Sequence, residues 1–164
     1  MELLTTILAY AHVLSAVSWL GGGILFSFII GPRLGDLKPP VARDFLVTIV
    51  PPVVRFFQAA AGLTVLFGLL LLWVMLGGDY SQFSSTWGMS IIAGMGVAFV
   101  ALVMSEAVTG PAFMRVARAA GEITPDSPPS PSFPALVRRA GLLGLITTLL
   151  LLLTLVFMVS AGFY

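Results

Sequence analysis

A single histidine, His12, is the chain's only imidazole, and it stands in an apolar stretch, Ala11 to Gly23, that reads AHVLSAVSWLGGG. An ionisable ring inside hydrocarbon is costly, so in such a place it is a functional candidate by default. Its chemistry is that of a metal ligand or of a hydrogen-bond donor, the latter to a backbone carbonyl or to Ser15. Met95 and Met158 carry thioethers, and an imidazole with a thioether is an adequate axial pair for a haem iron. A second set of candidates is polar or charged: Glu106 lies within the third apolar segment, and Arg55 with Gln58 stands near the start of the second. Charge in hydrocarbon costs at least a few kcal/mol, so Glu106 must be paired, protonated or watered. The expected arrangement is an ion pair or hydrogen bond with Arg55; the alternative is a proton path or a quinone contact at Glu106.

The elements that would position these groups are membrane helices. Of the 164 residues 59% are hydrophobic and only 9% charged, and the mean hydropathy is +1.07. A soluble domain carries about a quarter charged residues. Four apolar segments run over Leu3 to Ile30, Val53 to Leu76, Met89 to Phe113 and Ala140 to Phe163, each longer than the ~20 residues that cross a bilayer core. The first lacks a basic lead and is too long for a signal peptide, so it reads as a retained span. The expected fold is all-α: one polytopic domain over residues 1–164, a four-transmembrane-helix bundle, because backbone in lipid must satisfy its own hydrogen bonds.

Basic residues set the orientation. Arg33, Lys38, Arg43 and Arg55 flank the first connection and Arg115, Arg118, Arg138 and Arg139 the third, which accounts for all 8 basic side chains. The positive-inside rule then makes both connections cytoplasmic and both termini extracytoplasmic, in a multi-pass protein of the cell membrane. Tyr80, Trp87, Phe163 and Tyr164 fall at the outer interface, where amphipathic rings prefer to sit. The two basic connections also resemble each other. The first segment runs into Gly31-Pro32 and the third into Gly110-Pro111, and each following helix opens with a proline four residues before an arginine, Pro51 to Arg55 and Pro134 to Arg138. This reads as two parallel helical-hairpin repeats related by an axis along the membrane normal.

Residues 41–50, VARDFLVTIV, suit a short interfacial helix, and residues 124–134, TPDSPPSPSFP, a mobile linker too rich in proline and serine for regular structure. Neither connection holds a phosphate-binding glycine loop, a Ser/His/Asp set or a carboxylate pair, so hydrolysis and phosphoryl transfer have no support. Zero cysteines exclude thiolate metal sites, iron–sulfur clusters and covalent haem attachment. The net charge of +1 reflects topology and gives no nucleic-acid face. Small residues such as Gly23, Ser27 and Gly31 mark close helix approach, the ordinary glue of membrane bundles. At 1.5 Å of rise per residue, His12 lies about 12 Å from the outer end, Met95 about 10 Å and Met158 about 9 Å. Matching depth makes His12 with Met95, or with Met158, the candidate ligand set.

The spacing His12, six residues, Trp19, one residue, Gly21-Gly22, followed by Gly31-Pro32-Arg33-Leu34, resembles the first helix of CopD-like copper-resistance proteins and HemJ-like protoporphyrinogen oxidases. The resemblance covers about one quarter of the chain. It implies a four-helix or larger bundle and a b-type haem held by His12, with Trp19 flanking the macrocycle and Gly22 letting a neighbouring helix approach. Two departures stand out. HemJ-like enzymes use a lysine in the third helix, whereas the one lysine here is Lys38 in a connection, and copper transport prefers clustered soft ligands, whereas these methionines are scattered. The expected function is therefore a haem b protein in electron transfer, with a quinone or respiratory partner, as a homodimer sharing His12 or within a larger complex. Copper or small-solute transport and a non-catalytic accessory subunit are the alternatives.

Overall fold

The computed structural model describes residues 2–124 and 126–163. Pro125 of the proline-rich connection and Tyr164 of the expected aromatic belt lie outside the described residues. The chain is 88% helical, without a strand among the described residues. Four helices are long and apolar enough to cross a membrane. The first span is Glu2–Asp36, the second Val50–Leu76, the third Thr86–Gly121 and the fourth Phe133–Ala161. Each turns large apolar side chains outward: Val17 is 62% exposed, Trp73 69%, Phe99 59% and Val156 59%. Surfaces of that kind on every helix belong against lipid, not water.

All four spans begin earlier than the hydropathy suggests, and two of them do so on proline. Val50–Leu76 and Phe133–Ala161 each carry proline in the first turn, where its missing N–H would have no intrahelical partner anyway. The third extends past Gly110-Pro111 as Gly110–Gly121, because Ala112, Val116, Ala117 and Ala120 bury one face of that extension against Leu46, Val50, Val54 and Ala140. Leu46 belongs to the short helix Pro39–Thr48, in the place expected for an interfacial helix. Arg43 ties that helix to the third span, donating from Nε to the Ile123 carbonyl at 2.9 Å and from a terminal nitrogen to the Gly121 carbonyl at 3.3 Å. At the other end the second span stops where Gly77 and Gly78 take φ of 54° and 92°, the left-handed region that ends helices.

The Gly-Pro pairs have one shared structural consequence. A proline inside a helix removes a donor and presses its ring on the carbonyl four residues back, so the backbone widens by one residue to relieve both. The first span does this over Leu25–Ile30 and the third over Ser105–Thr109, each a π turn ending at the glycine. Gly31 N–H donates to the Phe26 carbonyl and Gly110 N–H to the Ser105 carbonyl. A Cβ on either glycine would stand 2.9 Å from that same oxygen, so the turn requires a residue without one. The repeat seen in the sequence is thus a repeat of backbone geometry.

The first and second spans pack along their lengths as one hairpin, the third and fourth as another, and the hairpins meet at first-to-fourth and second-to-third contacts. Trp19, 3% exposed, forms the central core with Ala60, Ala61, Ala101 and Leu151, drawing on all four spans. That core divides the bundle into the end that holds the termini and the end that holds the basic residues.

Candidate functional site

The basic half of the bundle contains a cavity of about 420 Å3. Its walls are aromatic: Trp19, Phe26, Phe57 and Phe113 line it. The widened π turns contribute Ser27, Ser105 and Thr109, and the fourth span adds Thr147 and Thr148. Those hydroxyls pair across the helices, Ser27 Oγ with Thr148 Oγ1 and Thr109 Oγ1 with Thr147 Oγ1, both at 2.9 Å. Proton counting orients the pairs. Thr147 and Thr148 donate back to the Leu143 and Gly144 carbonyls at 2.9 and 3.0 Å, which leaves Ser27 and Thr109 as the donors to them. Ser27 and Thr109 consequently keep acceptor lone pairs. Gln58 and Ser105 also line the cavity, and their side chains make no hydrogen bond among the described residues. The cavity therefore offers unspent donors and acceptors on an apolar, aromatic background, with Arg138 as the one charged lining residue among the described residues.

His12 lies on the far side of Trp19 and is not among the lining residues. Its Nδ1 stands 2.8 Å from the Thr64 carbonyl of the second span. A carbonyl only accepts, so Nδ1 carries the proton and Nε2 keeps its lone pair in the neutral ring. The ring fits because position 68 is glycine: a Cβ there would lie 2.8 Å from His12 Cε1. Ser15, the other expected partner, donates instead to its own helix at Ala11. Met158 belongs to the opposite hairpin, where its Cε lies 3.0 Å from the place a Cβ on Gly94 would take. Neither Met158 nor Met95 lines the cavity. As a haem pocket inside one chain the expected set fits only in part: His12 presents a free Nε2, but the structure sets it and the methionines apart from the cavity. Among the described residues no three of His, Cys, Asp and Glu come together as a metal cluster. Of the remaining cofactor candidates, Trp19 does line the cavity, while Gly22 packs against the Phe57 ring.

The expected Glu106–Arg55 contact is corrected. Arg55 is exposed, and the ion pairs among the described residues are Arg33–Asp36 and Arg43–Asp44. Glu106 Oε1 is buried with no hydrogen-bond partner. Similar depth does not fix azimuth: Arg55 points outward from its helix, whereas its neighbour Gln58 turns inward toward Gly110, its Nε2 3.3 Å from that glycine's Cβ position. The two hydroxyl pairs were missed by sequence reasoning, and the available signal was Ser27, Thr109, Thr147 and Thr148 standing in apolar segments, where a hydroxyl finds its partner on a neighbouring helix.

No protein-family model, curated protein or solved structure matches this chain. The functional reading rests on the chain's own geometry.

Proposed function

We propose that this multi-pass membrane protein binds a tailed quinone in the cavity of its basic half and takes part in electron transfer. The observation that carries the reading is the lining: aromatic walls, with the unpaired Gln58 amide and Ser105 hydroxyl beside the acceptor lone pairs of Ser27 and Thr109. A quinone's carbonyls need donors and its reduced form's hydroxyls need acceptors, and this surface supplies both. Pockets of a few hundred Å3 with few, well-placed polar groups are the usual form of small-molecule sites. The basic end faces the cytoplasm of a cell membrane in this reading, by the positive-inside rule.

Trp19 supplies the test, since Trp73 and Trp87 are not among the lining residues. In nanodiscs, a short-tailed naphthoquinone should quench Trp19 fluorescence saturably, and Trp19→Phe should remove the saturable part. Quenching that rises linearly, or survives that substitution, would reject the cavity as the quinone seat.

A second reading is favoured by the His12 Nδ1 bond to the Thr64 carbonyl, because such a bond fixes the tautomer and ring orientation of metal-bound histidines. In it His12 Nε2 holds a b-type haem, alone or with His12 of a second copy. The haem would supply one-electron chemistry. A Soret band in gently purified protein, lost in His12→Ala, supports it; haem-free protein that takes up none when offered ends it.

A further inference from the structure

The hairpin repeat allows two windows into the cavity to be compared position by position. Superposing the Gly-Pro pairs sets Gly31 and Pro32 against Gly110 and Pro111. Superposing the proline-led helices sets Arg138, Gly141 and Leu142 against Arg55, Gln58 and Ala59. One window lies between the first and fourth spans, the other between the third and second.

Their states differ. The lining residues that are themselves exposed are Gly31, Pro32, Arg138, Gly141 and Leu142, all of them in the first window. Leu142 is 56% exposed, and a Cβ on Gly141 would meet nothing within 4 Å. In the second window the position of Gly141 is taken by Gln58, packed on Gly110, and Arg55, Ala59 and Pro111 do not reach the cavity. A wall whose lining residues stay exposed is an opening. A wall filled by an amide against a glycine is closed.

We infer that the cavity is loaded sideways from the bilayer, through the opening between the first and fourth spans. The inference rests on the proposed quinone reading and specifies the ligand further: a lipid-soluble ring compound whose apolar tail remains in the window beside Leu142, with its ring against the threonine pairs. Arg138 at the sill excludes a ligand carrying a second cation and tolerates a polar or anionic ring substituent. Away from Arg138 the window is edged by Gly31, Pro32, Gly141 and Leu142, which offer no hydrogen-bonding side chain, so the part of the ligand that rests there is apolar.

Stopped-flow Trp19 quenching on proteoliposomes tests this, using vesicles preloaded with a decyl-tailed naphthoquinone as the probe. Gly141→Leu should slow the approach to the quenched state by about tenfold, the scale on which access steps alter association rates. A plug in a path slows arrival and departure together, so arrival and release should fall by the same factor. Ala59→Leu, beside the closed window at the place that matches Leu142, should leave the rate at its wild-type value. Equal rates for wild type and Gly141→Leu would overturn the side opening while leaving the cavity reading in place. No saturable quenching of wild type by the tailed probe, or by the short-tailed one in nanodiscs, would instead remove the cavity reading and this inference with it.

Discussion

In the half of the bundle that holds the termini, the two hairpins close on the same device with different chemistry. A glycine in one helix receives a side chain from its partner: Gly68 receives His12 in the first hairpin, and Gly94 receives Met158 in the second. The imidazole is rigid and anchored to the Thr64 carbonyl. The thioether turns about several bonds and is anchored to nothing. The first hairpin therefore has one defined packing arrangement and the second an adaptable one, and a ring held that firmly is what a ligand role would require of His12.

The largest effect should come from Gly68→Ala. The new methyl would stand 2.8 Å from Cε1 and 2.9 Å from Nδ1 of His12, so the ring must swing and lose its hydrogen bond. Overpacking of this kind costs about 1–3 kcal/mol. Gly94→Ala should be milder: its methyl meets Met158 Cε at 3.0 Å and Phe157 Cβ at 3.1 Å, and a methionine can rotate away. The gain in helix propensity should hold the net change within about 1 kcal/mol of neutral. Reversible unfolding in detergent measures both, and equal losses would break the contrast between a rigid and a pliable closure.

The basic half is more alike between hairpins, and its effects should be correspondingly even. Thr148→Val and Thr147→Val each remove one inter-helix hydroxyl pair of 2.9 Å and should each cost about 0.6 kcal/mol, the average for such bonds in membranes. Ser27–Thr148 joins the two hairpins and Thr109–Thr147 lies within the second, so a much larger loss for one would show that these two places do not carry equal load.

Arg55 and Glu106 test the same symmetry at the second-to-third contact. Since Arg55 is exposed and Glu106 Oε1 has no partner, Arg55→Ala and Glu106→Ala should add to within about 0.3–0.5 kcal/mol. Coupling beyond that would restore the ion pair that depth alone suggested.

Why some of this was legible in the sequence and some was not follows from the range of the interactions. Gly31-Pro32 and Gly110-Pro111 act on their own backbone within five residues, so the repeat could be read directly and the π turns follow from proline chemistry. The eight basic residues and four apolar segments likewise report on each helix separately. The cavity depends on where helices stand about their axes, a property shared between distant residues. Ser27 meets Thr148, and Gln58 turns in where Arg55, three residues earlier, turns out. Depth matching placed His12 level with Met158 but could not tell that each is already seated on a glycine of its own hairpin.

The smallest expected effect lies at the joint between the two hairpins. Asp79 caps the short turn Tyr80–Ser84, accepting from the Ser81 hydroxyl at 2.6 Å and the Ser81 backbone N–H at 3.0 Å. Those bonds favour the carboxylate, the hydroxyl most, and hold its pKa below the ordinary 3.8. A depressed carboxylate stabilises the turn above the ordinary value, and that contribution is lost as pH falls through the lowered one. The group is fully exposed, so salt screens it and the effect stays local. Asp79→Asn keeps a capping oxygen and removes the charge. The Ser81 amide shift in the wild type should titrate with a midpoint below 3.8, and in Asp79→Asn it should stay flat over the same range. A midpoint at or above the ordinary value would mean that Ser81 does not hold the carboxylate. The turn between the two hairpins would then keep its shape from backbone bonds such as Asp79 N–H to the Leu76 carbonyl, not from the carboxylate.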